Sequence, residues 1–422
     1  LPFQPKATSR SQNNDTAVST QERPTIWHTP GHPGAAQTPA DARHHERESR
    51  VQAGREFLLP LLFVALLFML CPGRALATSN TATPTLNIYN WADYIDPELL
   101  EEFEREYGIT VNYDVYDSSE MVDTKLMTGS SGYDVVNHAT SFSARLIPIG
   151  VYHIVDTSRL KNWHHIDSTL VAKIEDDFGV DIAGVPYMWG TTGFTYNRKL
   201  VAERMPDAPV ASAAMIFDPA VVSRFADCGV SWLDDPTSVI PMAMLYLGYP
   251  PNSVDPDQLR EVEDLLKSVR PYIKYFSSTK MLLDLPSEEV CVAMSWSGDY
   301  AVASARAAET GLDVDLAYTI PLEGSVDWYD VMYIPADAPN IDNAYLFLDF
   351  MLRPDVIARA SNFTGYANAN ASATALVDKA ITDDPAIYPD ADTRQRLHAS
   401  QILEPKLERR RSRTWIKIKS GL

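Results

Sequence analysis

Between residues 85 and 139 the apolar pattern changes period four times, and this constrains the fold more than any other feature of the sequence. TLNIYNW (85–91) alternates as a strand. Asp96-Pro97 then opens PELLEEFEREYG, with proline in the first turn and Gly108 at the stop, which reads as a helix. TVNYDVYD alternates again, SSEMVDTKLMTG is a helix capped by Ser118 or Ser119 and closed by Gly129, and YDVVNHA is a more buried strand. Strand-helix-strand-helix-strand implies parallel pairing, because parallel neighbours need a crossover, and hence an α/β lobe. Such sheets bind ligands beyond the carboxyl ends of their strands. The turn found there, NWADYID, carries Trp91, Asp93 and Tyr94.

A second lobe is expected from residue 189 onward. In DQLREVEDLLKSV, Leu259, Val262, Leu265, Leu266 and Val269 fall on one helical face, which Pro271 ends. EVCVAMSW (289–296) is a buried strand running into Trp296, Ser297, Gly298 and Asp299. LAYTIPLEG (316–324) and WYDVMYIP (328–335) are further strands, the latter beginning Trp328-Tyr329-Asp330, and AYLFLDFML is a helix stopped at Arg353-Pro354.

The first methionine of the 422 residues is Met69. Residues 1–50 are polar, aperiodic and rich in breakers, a disordered or upstream segment rather than a domain. Arg50 and Arg55 lead an apolar run from Phe57 to Cys71 and Ala75-Leu76-Ala77 closes it, the pattern of a secretory signal over 51–77 cleaved after Ala77. The run is too short for a membrane span, which needs roughly 20 residues. Bulky Met69 and Leu70 disfavour a lipid anchor on Cys71. Removing the eight basic and six acidic residues before position 78 takes the net charge from −20 to −22. So acidic a body disfavours nucleic acid and anionic membranes and is compatible with cationic ligands. Cys228 and Cys291 then remain, and in an exported chain they either pair or stay as buried thiols.

Three stretches read as turns that pair an aromatic with an aspartate: Trp91/Asp93/Tyr94, Trp296/Asp299 and Trp328/Asp330, with Tyr366 in GYANAN as a fourth element. Ring faces attract a cation and its methylenes, while carboxylates accept its N–H donors, so together they suit an ammonium. The competing reading is core aromatics beside helix caps. Signals for catalysis or cofactors are thin. SWSGDY lacks the glycine two before the serine of a nucleophile elbow. His138, His153, His164, His165 and His398 have no metal-site spacing, there is no Cys-x-x-Cys, and no glycine-rich phosphate loop precedes a helix. Neither a catalytic residue, a metal nor a cofactor is expected. The basic tail LERRRSRTWIKIKSGL is read as a solvated face, with docking as its alternative.

From about residue 85 to 422 the chain resembles the polyamine-binding proteins of ABC transporters, the putrescine-binding ones above all. The resemblance rests on LNIYNWADYI, VPYMWGTTGFTYN, CGVSWLD, LGYPPNS, EEVCVAMSWSGDY, RPDVIA, YANAN and TWIKIKSG. It implies an α/β, two-lobed periplasmic-binding-protein fold of type II, with a ligand cleft between lobes joined by a hinge crossed more than once. The lobes are expected at 85–188 plus about 317–365, and at about 189–316 plus 366–422. It implies a periplasmic monomer that delivers a small-molecule polyamine to an inner-membrane permease and its ATPase, with no nucleic acid as partner, and a Cys228–Cys291 disulfide. Carried over position by position, the ligand residues are Trp91, Asp93, Tyr94, Trp296, Asp299, Trp328, Asp330 and Tyr366, with Ser141 and Thr237 at the edge of the set. Ala92 and Ala139 stand where those proteins have serine, and Thr237 aligns with a glutamate that contacts one ammonium. Losing that carboxylate costs about 1.5–3 kcal/mol unless Asp234 or Asp235 replaces it. Alternatively the cation is spermidine, cadaverine or agmatine, or the chain is a ligand sensor; an exported amine-processing enzyme lacks support in the residues.

Overall fold

The computed structural model describes residues 83–401 and 403–421, and the structural statements below concern these residues. The expected leader and upstream segment, 1–77, lie outside them. β1 (Thr85–Trp91) is flanked in parallel by β2 (Thr110–Tyr116) and β3 (Val135–Ala139), as the periodicity requires. The crossover helices Pro97–Tyr107 and Ser119–Met127 begin on their side-chain caps: Asp96 accepts from the Glu98 N–H, and Ser118 from the Met121 N–H. Gly108 closes the first helix at φ 67°, a left-handed value that glycine adopts without steric cost.

After the short β4 (Tyr152–His153), β5 (Val185–Asn197) runs for 13 residues, and the periodicity reading had not singled it out. It is buried almost throughout, so it lacks the alternation that marks a half-exposed strand. β6 (Val230–Trp232), β7 (Ile273–Phe276), β8 (Val292–Trp296) and β9 (Leu316–Thr319) follow. β10 (Ser325–Pro335), β11 (Ala367–Asn368) and β12 (Leu397–Ala399) complete the set. The strand order is β2-β1-β3-β10-β5-β8-β6-β7, with β4 and β12 on β10, and β9 and β11 on β5.

β5 leaves one lobe and enters the other. Its first half pairs with β10 at Gly190↔Trp328, and its second half pairs with β8 at Gly193↔Ser295. β10 crosses too, pairing through Ser325–Asp327 with β12 and through Asp330–Tyr333 with β3. The chain crosses a third time between Ile387 and Leu397. Each lobe has its own core. Leu86, Leu99, Phe103, Phe347 and Phe350 centre the first; Phe217, Trp232, Val292 and Trp415 centre the second.

The cores move two expected boundaries. Ala317 and Val326 pack in the second lobe, because β9 pairs with the second half of β5 and the start of β10 pairs with β12. Tyr366, Ala367, Ile381 and Ile387 pack in the first, because β11 pairs with the first half. Arg353-Pro354 ends the helix Ile341–Met351 as expected, yet Pro354 also opens the next helix, Pro354–Thr364. Cys228 and Cys291 are bonded inside the second core, with Cα atoms 5.5 Å apart. Closing a loop of 63 residues contributes about 4 kcal/mol in chain-entropy terms. Among the described residues, no helix is long and apolar enough to cross a membrane.

Candidate functional site

All ten expected ligand residues line one cleft between the lobes. Trp91 ends β1 and Trp296 ends β8, so two of the aromatics sit at strand carboxyl ends, as the sheet rule requires. The third pairing is not a turn. Trp328 and Asp330 lie inside β10, two residues apart and therefore on one face of the strand, at the hinge. The β10–β5 register shifts at this point, between Tyr329 and Val331. Asp327 and Tyr329 share the opposite face, where the Tyr329 hydroxyl donates to Asp327 at 2.5 Å.

The rings form a continuous wall. Trp296, from the second lobe, stands 6.4 Å from both Trp91 and Trp328 of the first. Trp328 meets Tyr366 edge-on at 5.1 Å, and Tyr366 meets Tyr94 at 5.5 Å. Two glycines make room. A Cβ on Gly190 would lie 2.5 Å from the Trp328 ring, and one on Gly298 would lie 2.4 Å from the Tyr366 ring.

Two carboxylates are sunk into this wall, one per lobe. Asp299, 9% exposed, is the third residue of the helix Ser297–Thr310. It accepts from the Trp296 N–H at 3.4 Å and, across the lobes, from the Tyr366 hydroxyl at 2.9 Å. Asp330, 5% exposed, lies beside the Tyr94 hydroxyl and opposite Ala139 on β3. Burial pushes both up to about pKa 7, Asp299 despite Tyr366 and the more distant Arg306, Asp330 despite Tyr94. Neither has an ion-pair partner among the described residues. An ammonium placed between them would meet ring faces and two desolvated acceptors.

Asp93 stands at the rim of the cleft. Its φ of 54° is left-handed, a conformation that aspartate tolerates better than most residues. The turn buries Tyr94 and leaves the Asp93 carboxylate 64% exposed at the cleft rim, where it meets Arg306 of the opposite lobe at 3.3 Å. Arg306 was not anticipated, since nothing in RAAET marks it.

Of the two aspartates expected to replace the aligned glutamate, Asp234 is already engaged. Trp415 Nε1 donates to it at 2.9 Å and Lys419 Nζ at 2.7 Å. Asp235 caps the helix Pro236–Tyr246 and takes the hydroxyls of Thr237 and Ser238, each at 2.6 Å. Ser238, also unanticipated, accepts weakly from Trp296 Nε1 at 3.5 Å. Glu120 lines the same end of the cleft from the first lobe. Desolvation, then the Asp235 charge, raises it above the usual carboxylate range. Ser141 lines the first-lobe wall.

Residues 98–389 match the family of bacterial extracellular solute-binding proteins. The chain is one of them. This binding protein is 42% identical over 350 residues to the putrescine-binding periplasmic protein SpuD of Pseudomonas aeruginosa, covering 83% of the chain and 95% of the relative. It is 43% identical over 339 residues to the putrescine-binding periplasmic protein PotF of Escherichia coli, covering 80% and 92%. Its fold matches the spermidine/putrescine ABC transporter substrate-binding protein PotD of Streptococcus pneumoniae with a TM-score of 0.66 at 28% identity, over 80% of this chain and 99% of that one. A two-lobed binding protein shifts between arrangements by bending its hinge strands, and a ligand that touches both lobes favours the arrangement in which it does so.

Proposed function

We propose that this protein captures putrescine or a related polyamine outside the cytoplasmic membrane and delivers it to an ABC importer. The observation that carries the reading is the pair Asp299 and Asp330: buried, one from each lobe, inside an aromatic wall and without an ion-pair partner among the described residues. A buried unpaired carboxylate is costly, and a ligand ammonium offsets that cost on binding. The same contacts join the lobes, which favours the closed arrangement. Trp91, Trp296 and Trp328 flank the methylenes; Tyr366 orients Asp299, and the Tyr94 hydroxyl stands beside Asp330. The ligand leaves unaltered, and the protein acts as an exported monomer.

Asp93 serves the rim pair with Arg306 rather than the ammonium. At the far end, Asp235 and Glu120 stand near each other with Thr237 and Ser238 between the lobes. They favour a second reading of the same site, in which the cation is longer or bulkier than putrescine.

Calorimetric titration of refolded, ligand-free protein with putrescine, cadaverine, spermidine and agmatine tests both. The expected result is tight binding of at least one amine, released unchanged by mass spectrometry. Failure of all four sinks the amine reading; spermidine or agmatine far above putrescine assigns the far carboxylates to the ligand.

A further inference from the structure

The helix Pro405–Ser420 carries seven basic residues and one acidic one on a chain of net charge −20. Its buried side, Trp415 and Ile418, packs into the second-lobe core. Four of the seven cations have acidic neighbours. Arg411 pairs with Glu408 at 2.7 Å and Lys419 with Asp234. Arg410 and Lys417 stand close enough to Glu263 to help lower its pKa, behind the larger effect of Lys267. Lys406, Arg409 and Arg413 have no ion-pair partner among the described residues. Arg409 and Arg413 are exposed and four residues apart, a like-charge pair that disfavours the helix. Folding gains nothing from it.

The two arginines open onto a shallow groove whose other wall comes from the first lobe. The groove is lined by Arg145, Pro405, Glu408, Arg409, Ser412 and Arg413. Arg145 follows the short helix Thr140–Ser143 beyond β3, pairs with Asp123, and holds its guanidinium 5.7 Å from the ring centre of Phe142. Phe142 itself lines the ligand cleft. Three arginines, two from one lobe and one from the other, thus line one groove; Arg145 is paired with Asp123, and Glu408, the carboxylate among the described lining residues, is held by Arg411. Guanidinium forks match carboxylates in geometry and charge.

We propose that this two-lobed arginine groove docks an acidic segment of the ABC permease and is complete only when the lobes stand as they do here. The proposal rests on the importer reading above. A bilayer surface fits less well: the acidic body opposes approach to anionic lipid, and a lipid contact would not need Arg145 from the other lobe. Docking through Arg145 lets the partner distinguish a loaded protein from an empty one.

The test uses the permease and its ATPase in nanodiscs of neutral phosphatidylcholine, titrated with the amine-loaded protein. Arg409→Ala/Arg413→Ala should raise the half-saturating concentration for ATP hydrolysis roughly tenfold or more, and salt should weaken the wild type more than the variant. Amine affinity by calorimetry should stay unchanged. Arg145→Gln should narrow the preference for loaded over ligand-free protein in direct binding to the same nanodiscs. An unchanged half-saturation in the double variant overturns the proposal. So does equally tight binding of the wild type to permease-free nanodiscs containing phosphatidylglycerol, which would assign the groove to lipid. Unchanged loaded-over-empty preference in Arg145→Gln removes the first lobe from the surface. Calorimetry on the wild type judges amine capture separately: a protein that binds no amine yet docks through Arg409 and Arg413 loses that reading and keeps this surface.

Discussion

Asp93 and Arg306 meet at 3.3 Å across the mouth of the cleft, 213 residues apart in sequence, and join the rims of the two lobes. The pair is partly exposed, so its worth is about 0–1 kcal/mol and falls with salt. Asp93→Asn preserves the left-handed turn and removes the charge. It should raise the Kd for the amine by roughly two- to fivefold at low ionic strength and by less at high. Arg306→Met should do the same, and the double variant should be no worse than either single. Additive effects in calorimetry would mean that the two residues act separately.

Asp299→Asn and Asp330→Asn should move affinity and stability in opposite directions. Each removes a charge-assisted bond to the ammonium of about 1.5–3 kcal/mol, which weakens amine binding roughly tenfold or more. Each also removes a charge that is costly to bury, so the ligand-free variant should melt higher than the ligand-free wild type at pH 8. A variant that loses both affinity and stability would mark its aspartate as a structural group.

The same two residues set a pH dependence. Burial pushes both to about pKa 7 with the lobes arranged as described, above an unfolded value of about 3.9. Between these values the native state binds more protons than the unfolded state, so unfolding free energy falls as pH rises through the window and is lowest above 7. Ligand-free protein should therefore gain stability from these groups on acidification from pH 8 to 6. Amine binding needs the ionised forms, so affinity should fall over the same range, approaching about tenfold per pH unit for each carboxylate. Calorimetry and thermal melts at stepped pH check both signs; a flat affinity profile would place the ammonium elsewhere.

Gly298→Ala should displace the Tyr366 ring, because the new Cβ would lie 2.4 Å from it. With the ring moves the hydrogen bond to Asp299. The expected outcome is a protein that folds, with intact far-ultraviolet circular dichroism, but binds the amine roughly tenfold more weakly, in line with one lost hydrogen bond to a charged group. Unchanged affinity would show that Tyr366 does not hold Asp299 in the liganded state.

Ala139→Ser places a hydroxyl on the strand directly opposite Asp330, at cross-strand distance. Donating to the ionised form, it should lower the Asp330 pKa and strengthen amine binding roughly threefold. Thr237→Glu offers no such gain, since the new carboxylate would stand beside Asp235 and Glu120 and lose the Asp235 bond. Calorimetry on the two variants should rank them in that order.

The sequence determined those parts of the protein whose signals are local. The strands before and after the helix Pro97–Tyr107, the caps Asp96 and Ser118, and the glycine stop at Gly108 each depend on a few neighbouring residues. So does the placing of Trp91 and Trp296 at strand ends. The family resemblance adds Ser141 and Thr237 to that set, while Glu120 and Ser238, which line the same cleft, carry no local signal. Tertiary structure alone decided what each of them meets. Trp328 and Asp330 lie within a hinge strand because β10 has β3 on one side and β5 on the other. Tyr366 belongs to the first lobe because β11 pairs with the first half of β5. Asp93 finds Arg306, and Asp234 is taken by Trp415 and Lys419, across 213, 181 and 185 residues. The poise of Asp299 and Asp330 comes from burial by both lobes together, and desolvation sums over the whole surroundings of a group, which no local stretch of sequence encodes.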